Sequence, residues 1–186
     1  MQRFIWMLTL ECLLMGIPEL SAQTNVVTPA LVEETKARAE KGDAEAQVKL
    51  GFYYGRGLVV AQDYTESTRW YRKAADQGHA AGQYNLGMAY AKNKGAPQNP
   101  AEAVRWVRKA ADQGYAPAQY GLGSWYAYGQ NVGKDVVEAH KWYSLALAQG
   151  DGSSKATLEN LEKEMSPEQI RAAQQKAGEF KPVKSQ

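Results

Sequence analysis

Cysteine is almost missing from this chain. Among 186 residues, Cys12 is the single cysteine, and His79 and His140 are the two histidines. A thiol nucleophile or a Cys/His metal centre therefore has little to be built from, and no H-x-x-x-H pair occurs. Blocks of one charge are lacking too: no five Lys/Arg residues stand together, and the formal net charge is +2. Nucleic acid and anionic membrane surfaces are accordingly poor partners. The apolar stretch from Phe4 to Ile17 covers 14 residues with Glu11 inside it, too short to span a bilayer. What the chain does have is an ordinary globular balance, 44% hydrophobic and 23% charged, which argues against wholesale disorder.

Residues 1–22 are laid out as a secretory signal peptide: Arg3 at the start, an apolar segment, Pro18, then the small Ala22 before Gln23. Export to the periplasm or beyond is the expectation, with no stable membrane insertion after cleavage. Cys12 would leave with the signal, and Thr9-Leu10-Glu11 lacks the small residues that precede a lipidated cysteine. Loss of Arg3, Glu11 and Glu19 gives 21 Lys+Arg against 18 Asp+Glu, or +3. With no thiol left, packing alone must stabilise the fold in an oxidising compartment.

One sentence is then written three times. RWYRKAADQG at 69–78 and RWVRKAADQG at 105–114 differ only at Tyr71 against Val107, and KWYSLALAQG follows at 141–150. Leu50, Leu86 and Leu122 keep the same 36-residue spacing, as do Tyr54, Tyr90 and Tyr126, and Trp70, Trp106 and Trp142. Such a period marks a solenoid of supersecondary units. Each unit holds two helices. Helix A is expected over about 44–54 with Ala46, Leu50 and Tyr54 as its core stripe, and helix B over about 64–77. Asp63 with Glu66, Asn99 with Glu102 and Asp135 with Glu138 predict capping boxes at the B starts. Pro100 fits a first helical position, and Gly78, Gly114 and Gly150 fit left-handed positions after the B helices. Gly51, Gly87 and Gly123 fall inside helix A at about 1 kcal/mol each against alanine, which predicts close approach by a neighbouring helix. The tryptophans, each able to bury roughly 150–250 Å², are assigned to the core.

The unit G-x-A-x-A-Q-x-x-L-G-x-x-Y, then D-x-x-E-A-x-x-W and K-A-A-x-Q-G, resembles the Sel-one-like repeat (SLR) family, αα-solenoid relatives of the tetratricopeptide repeats. The resemblance covers 42–150, divided into 42–77, 78–113 and 114–150. MSPEQIRAAQQKA at 165–177 is similar to the helix that closes bacterial members, with Ser166, Pro167 and Gln169 forming another capping box. The resemblance implies an all-α solenoid: a linker and amino-terminal cap helix over 23–41, carboxy-terminal capping helices over 151–179, and a tail over 180–186, of which KPVKSQ at 181–186 is expected to be loose. Residues 153–164 read as a degraded helix A keeping Leu158 and Leu161. Ala91 and Asn93 stand where the first copy has Gly55 and Gly57, so a different inter-helix loop is expected in the second copy.

No catalytic, metal or cofactor constellation emerges. Gly121-Leu122-Gly123-Ser124-Trp125 imitates a nucleophile elbow, but Gly123 is the repeat glycine. Cysteine-rich relatives in this family are linked to β-lactam chemistry, and the missing cysteine argues against that branch. A surface remains. A second helix A stripe reads Val48-Phe52-Arg56, Tyr84-Met88-Lys92 and Tyr120-Ser124-Tyr128; by resemblance it lines a concave groove. Phe52, Arg56, Tyr84, Met88, Lys92, Tyr120 and Tyr128 are the candidate contacts, and their Tyr, Phe, Met and Arg are residue types that interfaces favour, with Tyr53 and Trp125 joining from the side. Gap-filling between units is the competing reading of these aromatics. The function expected is a non-enzymatic adaptor or regulator that binds another protein or peptide. An immunity or inhibitor protein, and a cell-wall or β-lactam binder or enzyme, stay open as alternatives.

Overall fold

The computed structural model describes residues 27–183; the expected export signal lies outside the described residues. Nine helices and no strands occur there: α1 (Pro29–Glu40), α2 (Ala44–Arg56), α3 (Tyr64–Asp76), α4 (Ala80–Lys92), α5 (Pro100–Asp112), α6 (Ala116–Tyr128), α7 (Val136–Ala148), α8 (Ser153–Glu162) and α9 (Pro167–Gly178). From α1 to α8 each helix packs on its neighbour in the chain, and α9 packs back on α7. The fold is the expected all-α solenoid. α2, α4 and α6 are its A helices, and α3, α5 and α7 its B helices.

The repeat glycines are seats for the B helices. A Cβ on Gly87 would lie 2.7 Å from Val107 Cγ2, 3.0 Å from the Ala103 carbonyl oxygen and 3.1 Å from the Val107 amide nitrogen. On Gly51 and Gly123 it would strike the rings of Tyr71 and Tyr143. The clash that the triple glycine predicted is therefore with the B helix of the same unit. Trp70, Trp106 and Trp142 are buried as expected. The cation before each one lies over its ring: Arg69 at 4.9 Å, Arg105 at 4.8 Å and Lys141 at 4.3 Å from the centroid. Cation–π contacts of this kind, with Arg69 and Arg105 still exposed, orient the side chains and stabilise by about 0.5–1 kcal/mol.

The buried glutamine of A-x-A-Q joins one unit to the previous one. Gln47, Gln83 and Gln119 donate through Nε2 to the carbonyls of Ala39, Ala75 and Ala111. Those carbonyls lie at the ends of α1, α3 and α5, where intrahelical partners run out. Gln77 and Gln113 add a second rung by donating to Gln47 and Gln83 at 2.8 and 2.7 Å.

Four expectations are corrected. The boxes at 63, 99 and 135 are half boxes: Asp63, Asn99 and Asp135 accept from the first-turn amides, but their own N–H groups donate to the carbonyls of Tyr54, Tyr90 and Tyr126. Glu66, Glu102 and Glu138 are thereby released to pair with Arg69, Arg105 and Lys141. Only Ser166–Gln169 closes both arms. The second inter-helix loop keeps the geometry of the others, because Asn93 adopts the left-handed conformation (φ 53°) that Gly57 and Gly129 adopt at 67° and 68°. Asparagine tolerates it through its short polar side chain.

The third correction concerns the core stripe, where Tyr53 is buried and Tyr54 only half-buried. Seven residues return to within about 20° of the starting direction, whereas eight overshoot by about 80°. The core path is therefore 46, 50, 53. The fourth is the tail, whose described part is docked. Phe180 stands edge-on to Trp142 at 5.7 Å, and the Val183 amide donates to the Asp112 carbonyl at 2.8 Å.

Candidate functional site

The same helical arithmetic divides the proposed groove. Phe52 and Arg56 of α2 and Met88 and Lys92 of α4 line a hollow of about 490 Å³ between these helices, with Tyr71 of α3 inside it. Tyr84 and Tyr120 line a second, of about 420 Å³, with Pro117 and the turn after α7. Tyr128 lines a third, of about 320 Å³, with Tyr143 and α8. Tyr84 and Lys92 are eight residues apart on α4 and so face different hollows. In the first hollow the lining residues of α4 follow 85, 88 and 92 instead, a three-then-four spacing that stays on one side.

The seven residues also differ in how much they are already used. Phe52 and Tyr128 are 44% and 70% exposed. Tyr84 and Tyr120 are half-buried: the Tyr84 ring stands edge-on to Tyr115 at 5.7 Å, and Tyr120 tilts against Tyr143 at 5.3 Å. Burial pushes the hydroxyls of Tyr84 and Tyr115 up, and that of Tyr143 up to about 12. These phenols stay neutral across the physiological range. Tyr53 and Trp125, expected at the side of the groove, are core residues instead, 7% and 5% exposed. They occupy the seventh-residue position of the core path, which is Ala89 in the middle unit.

The first and third hollows are one feature repeated two units apart. Arg56 corresponds to Tyr128, Tyr71 to Tyr143, Met88 to Asn160 and Lys92 to Glu164. At the junction between them, Val107 replaces the B-helix tyrosine and buried Trp125 stands where the others have Ala89 and Leu161. The lone mismatch between the two decapeptides, Tyr71 against Val107, thus falls on a hollow. That mismatch was the available signal for the wall built from helix B.

One arrangement with the look of chemistry was not foreseen. His140, buried in α7, has Nε2 2.7 Å from Glu162 Oε1 of α8 and Nδ1 3.2 Å from Ser144 Oγ. Serine, histidine and glutamate in a row resemble a hydrolytic triad. Yet Ser144 lies within α7, where backbone amides are committed to the helix and cannot form an oxyanion hole. The trio instead links α7 to α8 through an otherwise stranded buried imidazole. Among the described residues, no group of three His, Cys, Asp or Glu side chains is placed to hold a metal ion. No described helix is long and apolar enough to cross a membrane.

The sequence model of the Sel1 repeat matches residues 44–79, 80–115 and 116–151, more than half of the chain. The secretory immunoglobulin A-binding protein EsiB of Escherichia coli O6:H1 is 40% identical over 53 residues, 26% of this chain and 11% of that protein. Among solved structures, a protective antigen with an SLR fold, present in uropathogenic Escherichia coli strains, matches with a TM-score of 0.75 and 33% identity. That match covers 81% of this chain and 32% of the antigen. A Sel1 repeat protein from Oxalobacter formigenes matches with a TM-score of 0.60 and 36% identity, over 73% of this chain and 52% of its own. The chain thus spans between about a tenth and a half of the length of these relatives. Sel1 repeats generally serve as protein–protein interaction modules.

Proposed function

The chain belongs to the Sel1 repeat family, and from that premise we propose that it is an exported, non-enzymatic adaptor holding another protein on the hollowed face of its A helices. One observation carries the reading. A nearly invariant frame of glycine, glutamine and tryptophan presents two corresponding hollows with different linings, the first and the third, and a second hollow of its own kind beside Tyr84 and Tyr120. Constant walls with variable lining suit recognition of an extended partner, because each unit can contribute a different contact without disturbing its neighbours. Phe52, Arg56, Tyr84, Met88, Lys92, Tyr120 and Tyr128 are the contacts proposed. The relative named for binding secretory immunoglobulin A supports a protein as the class of partner. Export rests on the signal-like segment 1–22, and the periplasm or the exterior is the compartment proposed.

Co-purification from the envelope fraction of the native host tests this, with the full chain expressed behind its own leader. The expected result is a defined protein retained by the wild type and lost from the Phe52→Ala/Tyr128→Ala variant. These two exposed side chains make the cleaner test, since Tyr84 and Tyr120 also pack on Tyr115 and Tyr143. Retention of the same partner by that variant and by Tyr84→Ala/Tyr120→Ala, with unchanged melting, would place the interface elsewhere. Turnover of a cell-wall or β-lactam compound by the purified chain alone would refute the non-enzymatic reading.

A further inference from the structure

The first and third hollows share a frame but not a charge. Arg56, Lys92 and Lys94 line the first, and none of its lining residues is acidic. Lys134 and Glu164 line the third and cancel formally. The helix dipole favours a cation in a last turn, which accounts in part for Arg56 and Lys92. It does not account for Lys94, which lies past the end of α4, nor for the absence of a cation in the last turn of α6, where Tyr128 stands in the place of Arg56 and Lys92.

Several cations elsewhere on the molecule are paired, among them Arg38 with Asp43, Arg69 with Glu66, Arg105 with Glu102 and Lys176 with Glu138; what distinguishes this hollow is that three cations line it together with no acid among its walls. Among the described residues, Arg56, Lys92 and Lys94 have no carboxylate within salt-bridge distance. Aromatic rings hold two of them instead. The Arg56 guanidinium lies 5.6 Å from the Phe52 ring centroid, and Lys94 Nζ lies 4.7 Å from that of Tyr64. A ring orients a cation without neutralising it. The neutral donors of the wall are largely committed, Ser67 Oγ to the Gly51 carbonyl at 2.7 Å and Thr68 Oγ1 to the Lys94 carbonyl at 2.9 Å. What the hollow offers an incoming group is three positive charges in a walled recess, with exposed Phe52 at its edge.

We propose that the hollow between α2 and α4 receives acidic side chains of the partner protein, with Arg56, Lys92 and Lys94 supplying the counter-charges and Phe52 packing a neighbouring apolar residue. The inference rests on the adaptor reading and adds to it the chemistry of the segment recognised. Arg56, Lys92 and Lys94 are exposed, so each such pair has the modest, salt-sensitive strength of a surface pair, and the uncancelled charge also speeds encounter.

Selection of random peptides displayed on phage against the immobilised full chain separates the possibilities. The expected winners carry Asp or Glu beside an aromatic or aliphatic residue. Their fluorescence-polarisation affinity should fall with added salt and drop on the order of tenfold or more when their acids become amides. The Arg56→Glu/Lys92→Glu/Lys94→Glu variant, checked to melt like the wild type, should lose them, whereas Lys134→Glu in the third hollow should not. If that triple variant is less stable, Arg56→Gln/Lys92→Gln/Lys94→Gln replaces it. Winners without acidic residues, or binding unmoved by the triple variant, would overturn this inference and leave the adaptor reading standing. No winners at all would count against both. Charge-dependent binding to phosphatidylglycerol vesicles in the absence of acidic winners would reassign the hollow to an anionic membrane surface.

Discussion

At the scale of single residues, the repeat supplies its own controls, because each position has two counterparts in the same molecule. Val59 adopts a left-handed backbone (φ 66°) at the position where the next copies place Gly95 (φ 74°) and Asn131 (φ 59°). Gly95 is needed there: a Cβ would lie 1.8 Å from the Tyr64 carbonyl oxygen. Val59 meets the steric penalty of the left-handed region with a β-branched side chain, and being 50% exposed it recovers little through burial. Val59→Asn should therefore stabilise the protein by about 1 kcal/mol, read as a higher denaturant midpoint with unchanged slope. Gly87 makes the opposite case. An added methyl meets backbone atoms of α5 as well as Val107, so no rotamer change can clear it. Gly87→Ala should be destabilising by about 1–3 kcal/mol, and a neutral result would mean that α4 and α5 are not in close contact there.

At the scale of elements, the carboxy-terminal cap is held by charge as well as by packing. Burial pushes the Glu138 carboxyl up, but Lys176 of α9, at 2.6 Å, and Lys141, at 3.5 Å, more than offset it and hold it below its ordinary 4.5. A carboxylate depressed in the folded state contributes stability above its unfolded value. That contribution drains away as pH falls through the folded value. Glu138→Gln should cost about 1 kcal/mol at neutral pH and flatten the acid side of the stability–pH curve below about pH 4.5. An unchanged acid slope would show that α9 docks through Ala173 and its apolar neighbours alone. Helix placement was legible in the sequence, since caps and breakers are local and three copies repeat them. The second arm of the boxes at 63, 99 and 135 was not, because the carbonyls of Tyr54, Tyr90 and Tyr126 take the N-cap amide across an inter-helix loop. The groove was legible only in part. A spacing of four assigns Tyr84 and Lys92 to one stripe, whereas the drift of a 3.6-residue turn and the packing of Tyr84 on Tyr115 send them to separate hollows.

At the scale of the whole molecule, stability is a chain of nearest-neighbour interfaces, so the place of a defect matters as much as its size. Trp106 lies in the middle unit, packed with Ala75 and Leu86, and its indole N–H donates to Glu102 at 3.0 Å. Arg105 and Lys109 lie over its faces, at 4.8 and 4.6 Å from the centroid. Trp106→Ala should cost roughly 3–5 kcal/mol. Because α5 joins the units before and after it, the loss should reach both. Hydrogen exchange should quicken in α3–α4 and in α6 together, whereas Trp142→Ala should spare α2 and α3. The hollow lined by Arg56, Lys92 and Lys94 is built from two adjacent units, so it exists only while their junction is closed. Trp106→Ala loosens the unit that carries Lys92 and Lys94 without touching the hollow, so it should weaken binding there alongside the exchange effect. Binding that survived a loosened middle unit would mean that the first unit and its cap recognise the partner alone.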